Sequence, residues 1–234
     1  MQEKQLKIAL VGNPNSGKSS LFNILTGLNQ KTGNFPGVTV EKRTGFSKMP
    51  DQTTAQFIDL PGIYSLYPRS LDEQIVSEIL LHHKSPDCPD VVVVIVDATN
   101  LKRSLLLVTQ IIDLGLPTVL AMNMMDLVAK AGISFNLIAL SEKLGIPVVP
   151  INARTGMGVD QLKKVLSQEV SPSTKVIFPV FDEAKSGVEE LRNELGIDNN
   201  YEAYQFLQQP TSLSFLKAQE RIFIDQVKEK HKFF

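Results

Sequence analysis

Between residues 6 and 166 short apolar runs alternate with stretches whose apolar residues recur at helical spacing. Residues 6–11 form an apolar strand candidate, and residues 19–26 follow as a helix with Leu21, Phe22 and Leu25 on one face. Residues 91–96 are apolar throughout, as expected of a central parallel strand buried on both faces. A helix over 101–114, a strand over 118–122, a helix over 135–144 ended by Gly145, a strand over 146–151 and a helix over 159–166 continue the rhythm. Segments 39–46 and 55–58 are too close for a helical crossover, so they are expected to form an antiparallel hairpin at a sheet edge. The pattern predicts an α/β fold whose mainly parallel sheet has six strands, flanked by helices.

The rhythm stops near Val170-Ser171-Pro172-Ser173, a polar, proline-bearing linker. Beyond it the spacing predicts helices over 182–195, ended by Gly196, and over 200–207, stopped before Pro210. A last helix to about Lys232 would be capped by Ser212 or Ser214. The expected division is residues 1–169 for the α/β domain and 170–234 for a small all-α domain.

Composition narrows the function classes. Lys plus Arg total 24 against 25 for Asp plus Glu, a net charge of −1, and the segment from Ser171 onward is net −2. No basic field is available to hold nucleic acid by charge. The one cysteine, Cys88, suits a reducing compartment, and the polar start carries no apolar signal-peptide core. The longest aliphatic run, 91–96, is far too short to span a bilayer. The expectation is a soluble cytoplasmic chain.

The chemistry concentrates at strand ends. Gly12-Asn13-Pro14-Asn15-Ser16-Gly17-Lys18-Ser19 matches G-x-x-x-x-G-K-[ST] between a predicted strand and a predicted helix. The two glycines let backbone N–H groups turn toward phosphate oxygens, and the helix start adds the positive end of its dipole. Lys18 would neutralise β- and γ-phosphate charge, and the Ser19 hydroxyl would ligate Mg²⁺. Asp59-Leu60-Pro61-Gly62 could hold Mg²⁺ through water at Asp59 and reach a γ-phosphate through the Gly62 N–H; Thr39 could bring a second hydroxyl. In Asn123-Met124-Met125-Asp126, the Asp126 carboxylate would pair with the two donors on the guanine edge, which adenine lacks. Asn152-Ala153-Arg154 could offer a backbone N–H to guanine O6.

In order, these motifs reproduce the five of the translation-factor class of GTPases. More narrowly, the chain resembles the amino-terminal G domain of FeoB-type ferrous-iron transport proteins. The likeness rests on the phosphate loop, on Thr32-Gly33-Asn34-Phe35-Pro36-Gly37-Val38-Thr39-Val40-Glu41, on Asp59-Leu60-Pro61-Gly62-Ile63-Tyr64-Ser65-Leu66 and on Asn123-Met124-Met125-Asp126. It covers residues 6–166 and implies a P-loop GTPase fold. By resemblance, Gly12, Asn13, Asn15, Ser16, Gly17, Lys18, Ser19 and Ser20 hold the phosphates, and Phe35, Pro36, Gly37, Val38 and Thr39 close over them. Asp59, Leu60, Pro61 and Gly62 sense the γ-phosphate. Asn123, Met124, Asp126, Asn152, Ala153 and Arg154 hold the base. Ser19, Thr39 and, through water, Asp59 serve Mg²⁺. Asn15, with carbonyls of residues 33–35, matches the position that meets K⁺ in potassium-activated relatives. Lys18, Thr39, Gly62 and Asn15 are the catalytic set.

Where well-known signalling GTPases place a water-orienting glutamine after Gly62, this chain has Ile63, so slow hydrolysis aided by K⁺ is expected. Arg43 and Arg69 read as solvated surface groups. His82, His83, Asp87, Cys88 and Asp90 read as a polar surface turn, not a metal site. The resemblance further implies a membrane permease region in the same parent polypeptide at the cytoplasmic face of the inner membrane, and helices that slow GDP release. The oligomeric state stays open. Two other readings stand beside this one: a ribosome-assembly GTPase of the Era or Der kind, against which the acidic tail argues, and a nucleotide-gated binding module that does not hydrolyse.

Overall fold

A computed structural model describes residues 5–28, 30–35 and 38–233. Its α/β part runs β1 (Lys7–Gly12), α1 (Lys18–Thr26), β2 (Gln30–Asn34), β3 (Glu41–Lys48), β4 (Thr54–Asp59), α2 (Leu71–Leu81), β5 (Val91–Asp97), α3 (Leu101–Asp113), β6 (Thr118–Asn123), α4 (Met125–Lys130), α5 (Leu137–Leu144), β7 (Val148–Pro150) and α6 (Val159–Leu166). The sheet order is β2-β3-β4-β1-β5-β6-β7. From β4 to β7 neighbouring strands are parallel, and β2, β3 and β4 pair antiparallel.

The sheet therefore has seven strands, one more than the six predicted, and the β3–β4 hairpin lies inside the edge that it was expected to form. The added strand, Gln-Lys-Thr-Gly-Asn, is polar and mostly exposed. It has no alternating apolar face to reveal it and exists because its backbone pairs with β3.

Both sheet faces are buried, and β5 shows how. Val91, Val93 and Ile95 face a core shared with Leu21, Phe22 and Leu25 of α1 and Leu162 and Leu166 of α6. Val92, Val94 and Val96 face the other core, which holds Leu80 of α2 and Leu107 and Ile111 of α3. The period-2 alternation of a strand thus sends successive valines to opposite layers.

The second core continues without a break into the carboxyl-terminal helices α7 (Asp182–Leu195), α8 (Asn200–Gln208) and α9 (Ala218–Lys230), through Val188, Leu191, Tyr201, Phe206 and Ile224. The linker is pinned by one carboxylate: Asp113, at the end of α3, accepts the backbone N–H groups of Ile177 and Phe178, each at 2.8 Å. Asn199 caps α8 by accepting the Glu202 N–H while its amide donates to the Asp113 carbonyl. Phe178 packs edge-on against Tyr201 and tilted against Tyr204.

The last helix starts later than predicted. Ser212 ends a short 3₁₀ turn, and the Ser214 N–H donates to Glu78 at 2.6 Å. Buried Leu213 and Leu216 hold the intervening segment inward. Lys217 is the N-cap residue, its N–H donating to Glu220. Among the described residues no helix is long and apolar enough to cross a membrane.

Candidate functional site

The phosphate loop is shaped by steric exclusion. A side chain at Gly12 would put its Cβ 2.4 Å from the Ile95 carbonyl oxygen. At Gly17, where φ is +92°, a Cβ would lie 2.1 Å from the Asn123 amide nitrogen. Asn15 takes a left-handed conformation, and the Ser16 N–H closes the turn onto the Asn13 carbonyl at 3.2 Å. Asn13 is buried and its amide donates to Ser104; the Ser16 hydroxyl is buried too.

A cavity of about 550 Å³ lies against this loop, lined by Asn13, Pro14, Asn15, Gly17, Lys18, Ser19, Ser20, Gly62 and Met124. A second, of about 300 Å³, lies beside it against Asn123, Met124, Asp126, Leu127, Asn152, Ala153 and Arg154. The two share Gly17, Ser20 and Met124. A larger cavity, of about 1140 Å³, sits around Leu6, Met49, Asp90 and Leu166 at the opposite end of the strands. Open parallel sheets bind ligands beyond their carboxyl ends, and the paired cavities adjoin those ends together with the phosphate loop.

Asp59 ends β4 with its carboxylate nearly enclosed. Lys18 Nζ lies 2.5 Å from Oδ1, and Ser19 Oγ donates to Oδ2 at 3.2 Å. Arg43, opposite Asp59 in the β3–β4 register, places Nη1 3.5 Å from Oδ2. Arg43 is thus not the solvated group expected. Its Nη2 donates to Asn23 and Gln30, and its guanidinium lies over the Phe22 ring. The period-2 register of the predicted hairpin was the signal that could have found it. Arg69 is exposed, as expected.

Beyond Asp59, Leu60 is buried and its N–H bonds the Leu10 carbonyl; Pro61 is half-buried. Gly62 sits against the Pro14 backbone, leaving no room for a side chain. Ile63 is wholly buried, and its N–H donates to the Gly12 carbonyl at 3.1 Å. Further on, Leu66 is held on three sides: its N–H donates to Gln110 while its carbonyl accepts from Ser77 and from Gln209. Gln205 donates to the Tyr67 hydroxyl.

Thr39 is exposed and lines neither cavity, while Phe35 is buried, bonded through its N–H to the Val40 carbonyl. Val38 is half-buried and its N–H reaches the Phe35 carbonyl at 3.3 Å. Gly33 and Asn34 of β2 pair with Lys42 and Glu41 of β3, and two strands, β3 and β4, lie between β2 and β1. Pro36 and Gly37 lie outside the described residues.

At the base end, Asn123 donates to the Ser16 carbonyl and accepts the Ala153 N–H, both at 2.8 Å. The Ala153 amide, expected to face a base oxygen, is therefore occupied by Asn123. Asn152 accepts the N–H groups of Arg154 and Thr155 and shapes that turn. Met124 is left-handed at φ 63°, which lets α4 start at once and brings Asp126 into its first turn. Asp126 is half-exposed, with an Arg154 nitrogen at 3.9 Å. Met122 packs in the core, and Met125 packs against it.

The predicted polar turn at 82–90 is in part an interface. His82 stacks on Phe215 with centroids 4.3 Å apart, and His83 Nδ1 lies 3.1 Å from Glu202. Among the described residues no group of three or more acidic, His or Cys side chains could hold a metal ion.

A glycine-shaped loop between β1 and α1, an acidic residue closing the neighbouring β4 and an Asn-x-x-Asp turn at the end of β6 define a P-loop GTPase domain. Residues 6–166 match the family described as Ferrous iron transport protein B, and the chain belongs to it. It is 43% identical over 214 residues to the Fe(2+) transporter FeoB of Leptospira biflexa serovar Patoc, covering 91% of this chain and 30% of that protein. With the Escherichia coli (strain K12) FeoB the identity is 40% over 188 residues, or 78% and 24% of the two chains. The chain thus spans less than a third of the length of these curated relatives. Among solved structures, the cytosolic domain of L. pneumophila FeoB superposes with a TM-score of 0.80 at 33% identity, over 97% of this chain and 90% of that one. An S. thermophilus NFeoB variant bound to GDP gives 0.78 at 35%, over 98% and 90%. Neither the ribosome-assembly reading nor the non-hydrolysing one is favoured by these matches.

Proposed function

We propose that this chain is the GTP-binding, GTP-hydrolysing regulatory domain of a ferrous-iron membrane transporter, working at the cytoplasmic face of the inner membrane. The observation that carries the reading is the pair of adjoining cavities joined at Gly17, Ser20 and Met124, one beside a phosphate loop and one beside an acidic base-reading residue. Lys18 and the loop amides take the phosphates, Asp126 pairs with the guanine N1–H and amine, and the Met124 stem lies along the base.

Ser19 and Asp59 offer hard oxygens 3.2 Å apart, a donor set that suits Mg²⁺ held by a hydroxyl, water and phosphate. When bound, Mg²⁺ supplies positive charge to the β- and γ-phosphate oxygens. For that set to serve, Lys18 leaves Asp59 for phosphate, and Thr39 swings in from its exposed position. The Gly62 N–H, packed against Pro14, would face the γ-phosphate. With Ile63 buried, no side chain at that position orients water, so hydrolysis is slow. Asn15 is the residue to meet K⁺, and for the carbonyls of residues 33–34 to join it they must leave their place in β2.

Residues 1–169 are the nucleotide-binding part and residues 170–234 the regulatory part, although the two share one core. Gln205 of α8 and Gln209, the residue just past its end, grip Tyr67 and Leu66 just past Gly62, which gives the helices a hold on nucleotide release. The permease of the parent polypeptide is the partner that this domain would regulate.

The test is phosphate release from GTP by the purified chain with Mg²⁺, in K⁺ and in Na⁺ buffer. Turnover abolished by Lys18→Ala and faster in K⁺ supports the reading. Equal rates in the two salts remove the Asn15 role, and turnover that survives Lys18→Ala removes the reading. For the iron role, ferrous uptake by the full parent polypeptide should fall with the same substitution.

A further inference from the structure

We propose that Arg43 is the positioning residue for Asp59, holding its carboxylate in place once Lys18 and Ser19 have turned to nucleotide and metal; the inference rests on the reading of Asp59 as the water-mediated partner of Mg²⁺. The Asp59 side chain is 4% exposed, and a buried carboxylate is costly unless it is paired and hydrogen-bonded. Among the described residues its side-chain partners are Lys18, Ser19 and Arg43. Two of these belong to the loop that binds phosphate and metal, which leaves Arg43.

The guanidinium is built to stay. Nη1 faces Asp59 Oδ2 at 3.5 Å, Nη2 donates at 3.2 Å to both Asn23 of α1 and Gln30 of β2, and the plane lies 5.1 Å from the centre of the Phe22 ring. A planar fork held on its face and at its tip keeps its aim as neighbours move; a lysine could offer only a point charge. Because Gln30 lies on the outer strand, the same guanidinium ties the Asp59 carboxylate to the hairpin that carries residues 30–48.

Residues that orient a metal's ligands cost about 10–100-fold in metal affinity when removed. The experiment is a Mg²⁺ titration of mant-GDP dissociation on the whole chain, with affinity in EDTA measured alongside. Arg43→Gln should raise the Mg²⁺ concentration for half-maximal slowing by about 10-fold or more. Its affinity in EDTA should stay within about twofold, and Arg43→Lys should fall between it and the wild type. In an Asp59→Asn background the Arg43→Gln effect should vanish, since it acts through that carboxylate. An unchanged Mg²⁺ midpoint in Arg43→Gln, with a raised one in Asp59→Asn, overturns the Arg43 role and leaves the Asp59 reading standing. An unchanged midpoint in Asp59→Asn overturns both. An equal loss of affinity in EDTA and in Mg²⁺ marks Arg43 as merely structural and also overturns it.

Discussion

The side-chain amide of Asn123 donates to the backbone carbonyl of Ser16 at 2.8 Å, across 107 residues of sequence, so the end of β6 and the glycine-shaped loop after β1 are one hydrogen-bonded unit. Asn123 also accepts the Ala153 N–H. Asn123→Ala leaves two buried backbone groups without a partner, at about 1–3 kcal/mol each. A mant-GDP titration should show affinity reduced more than about 10-fold, and thermal unfolding should begin earlier. Unchanged values in both would remove Asn123 as the link.

Asp126 offers only acceptors, matching two donors on guanine. Xanthine carries a carbonyl where guanine has its amine, so an amide donor at 126 suits it better. Asp126→Asn should weaken GTP by about 100-fold or more and strengthen XTP, because a polar edge left unpaired is rejected strongly. Competition of both nucleotides against mant-GDP measures the exchange. Retained preference for GTP would place the base elsewhere.

Gly17→Ala asks for a Cβ where the Asn123 amide already lies, in a left-handed conformation that costs about 1–3 kcal/mol outside glycine. The variant should lose nucleotide binding and melt at lower temperature. A calorimetric scan and one titration suffice, and wild-type behaviour in the titration would mean that the loop does not touch ligand.

Restoring a glutamine after Gly62 should not speed this protein. Ile63 is enclosed in the core, so Ile63→Gln buries an amide and loses stability by about 1–3 kcal/mol. Single-turnover hydrolysis should be no faster than wild type. A several-fold acceleration would show that the side chain can reach water after all.

Asp113 gives a pH dependence. Burial pushes its carboxyl above the ordinary 3.8, against the pull of the Ile177 and Phe178 N–H groups. The folded chain then holds this proton more tightly than the unfolded one. The stabilising contribution is complete below about pH 3.8 and is lost as pH rises through the raised value. Urea midpoints followed from pH 4 to 7 should decline more in wild type than in Asp113→Asn, which has no proton to lose. Parallel curves would contradict this assignment.

The parallel strands and the phosphate loop are legible because each couples a hydrophobic run to a strand end where chemistry collects, and the β3–β4 hairpin because its two segments lie too close for a helical crossover. The outer strand, residues 30–34, was not, since its place depends on backbone pairing and not on a buried face. Arg43 was missed for a related reason. Its role comes from sitting opposite Asp59 across two strands, and charge in a hairpin reads as solvated until the register is known. The start of α9 was misplaced because Ser214, a good cap in isolation, spends its N–H on Glu78, a partner 136 residues away. The Ala153 amide was assigned to the base because nothing local reveals that Asn123 claims it.

The chain has no tryptophan and only four tyrosines. Tyr64 lies under the Arg103 guanidinium and the Tyr67 hydroxyl accepts from the Gln205 amide, both in the segment just past Gly62, while Tyr201 and Tyr204 pack against Phe178 from α8. Every tyrosine fluorophore therefore stands in that segment or on the α8 face beside the linker. The tyrosine emission of this chain is thus a native, label-free optical gauge of whether its helices remain seated on the segment just past Gly62.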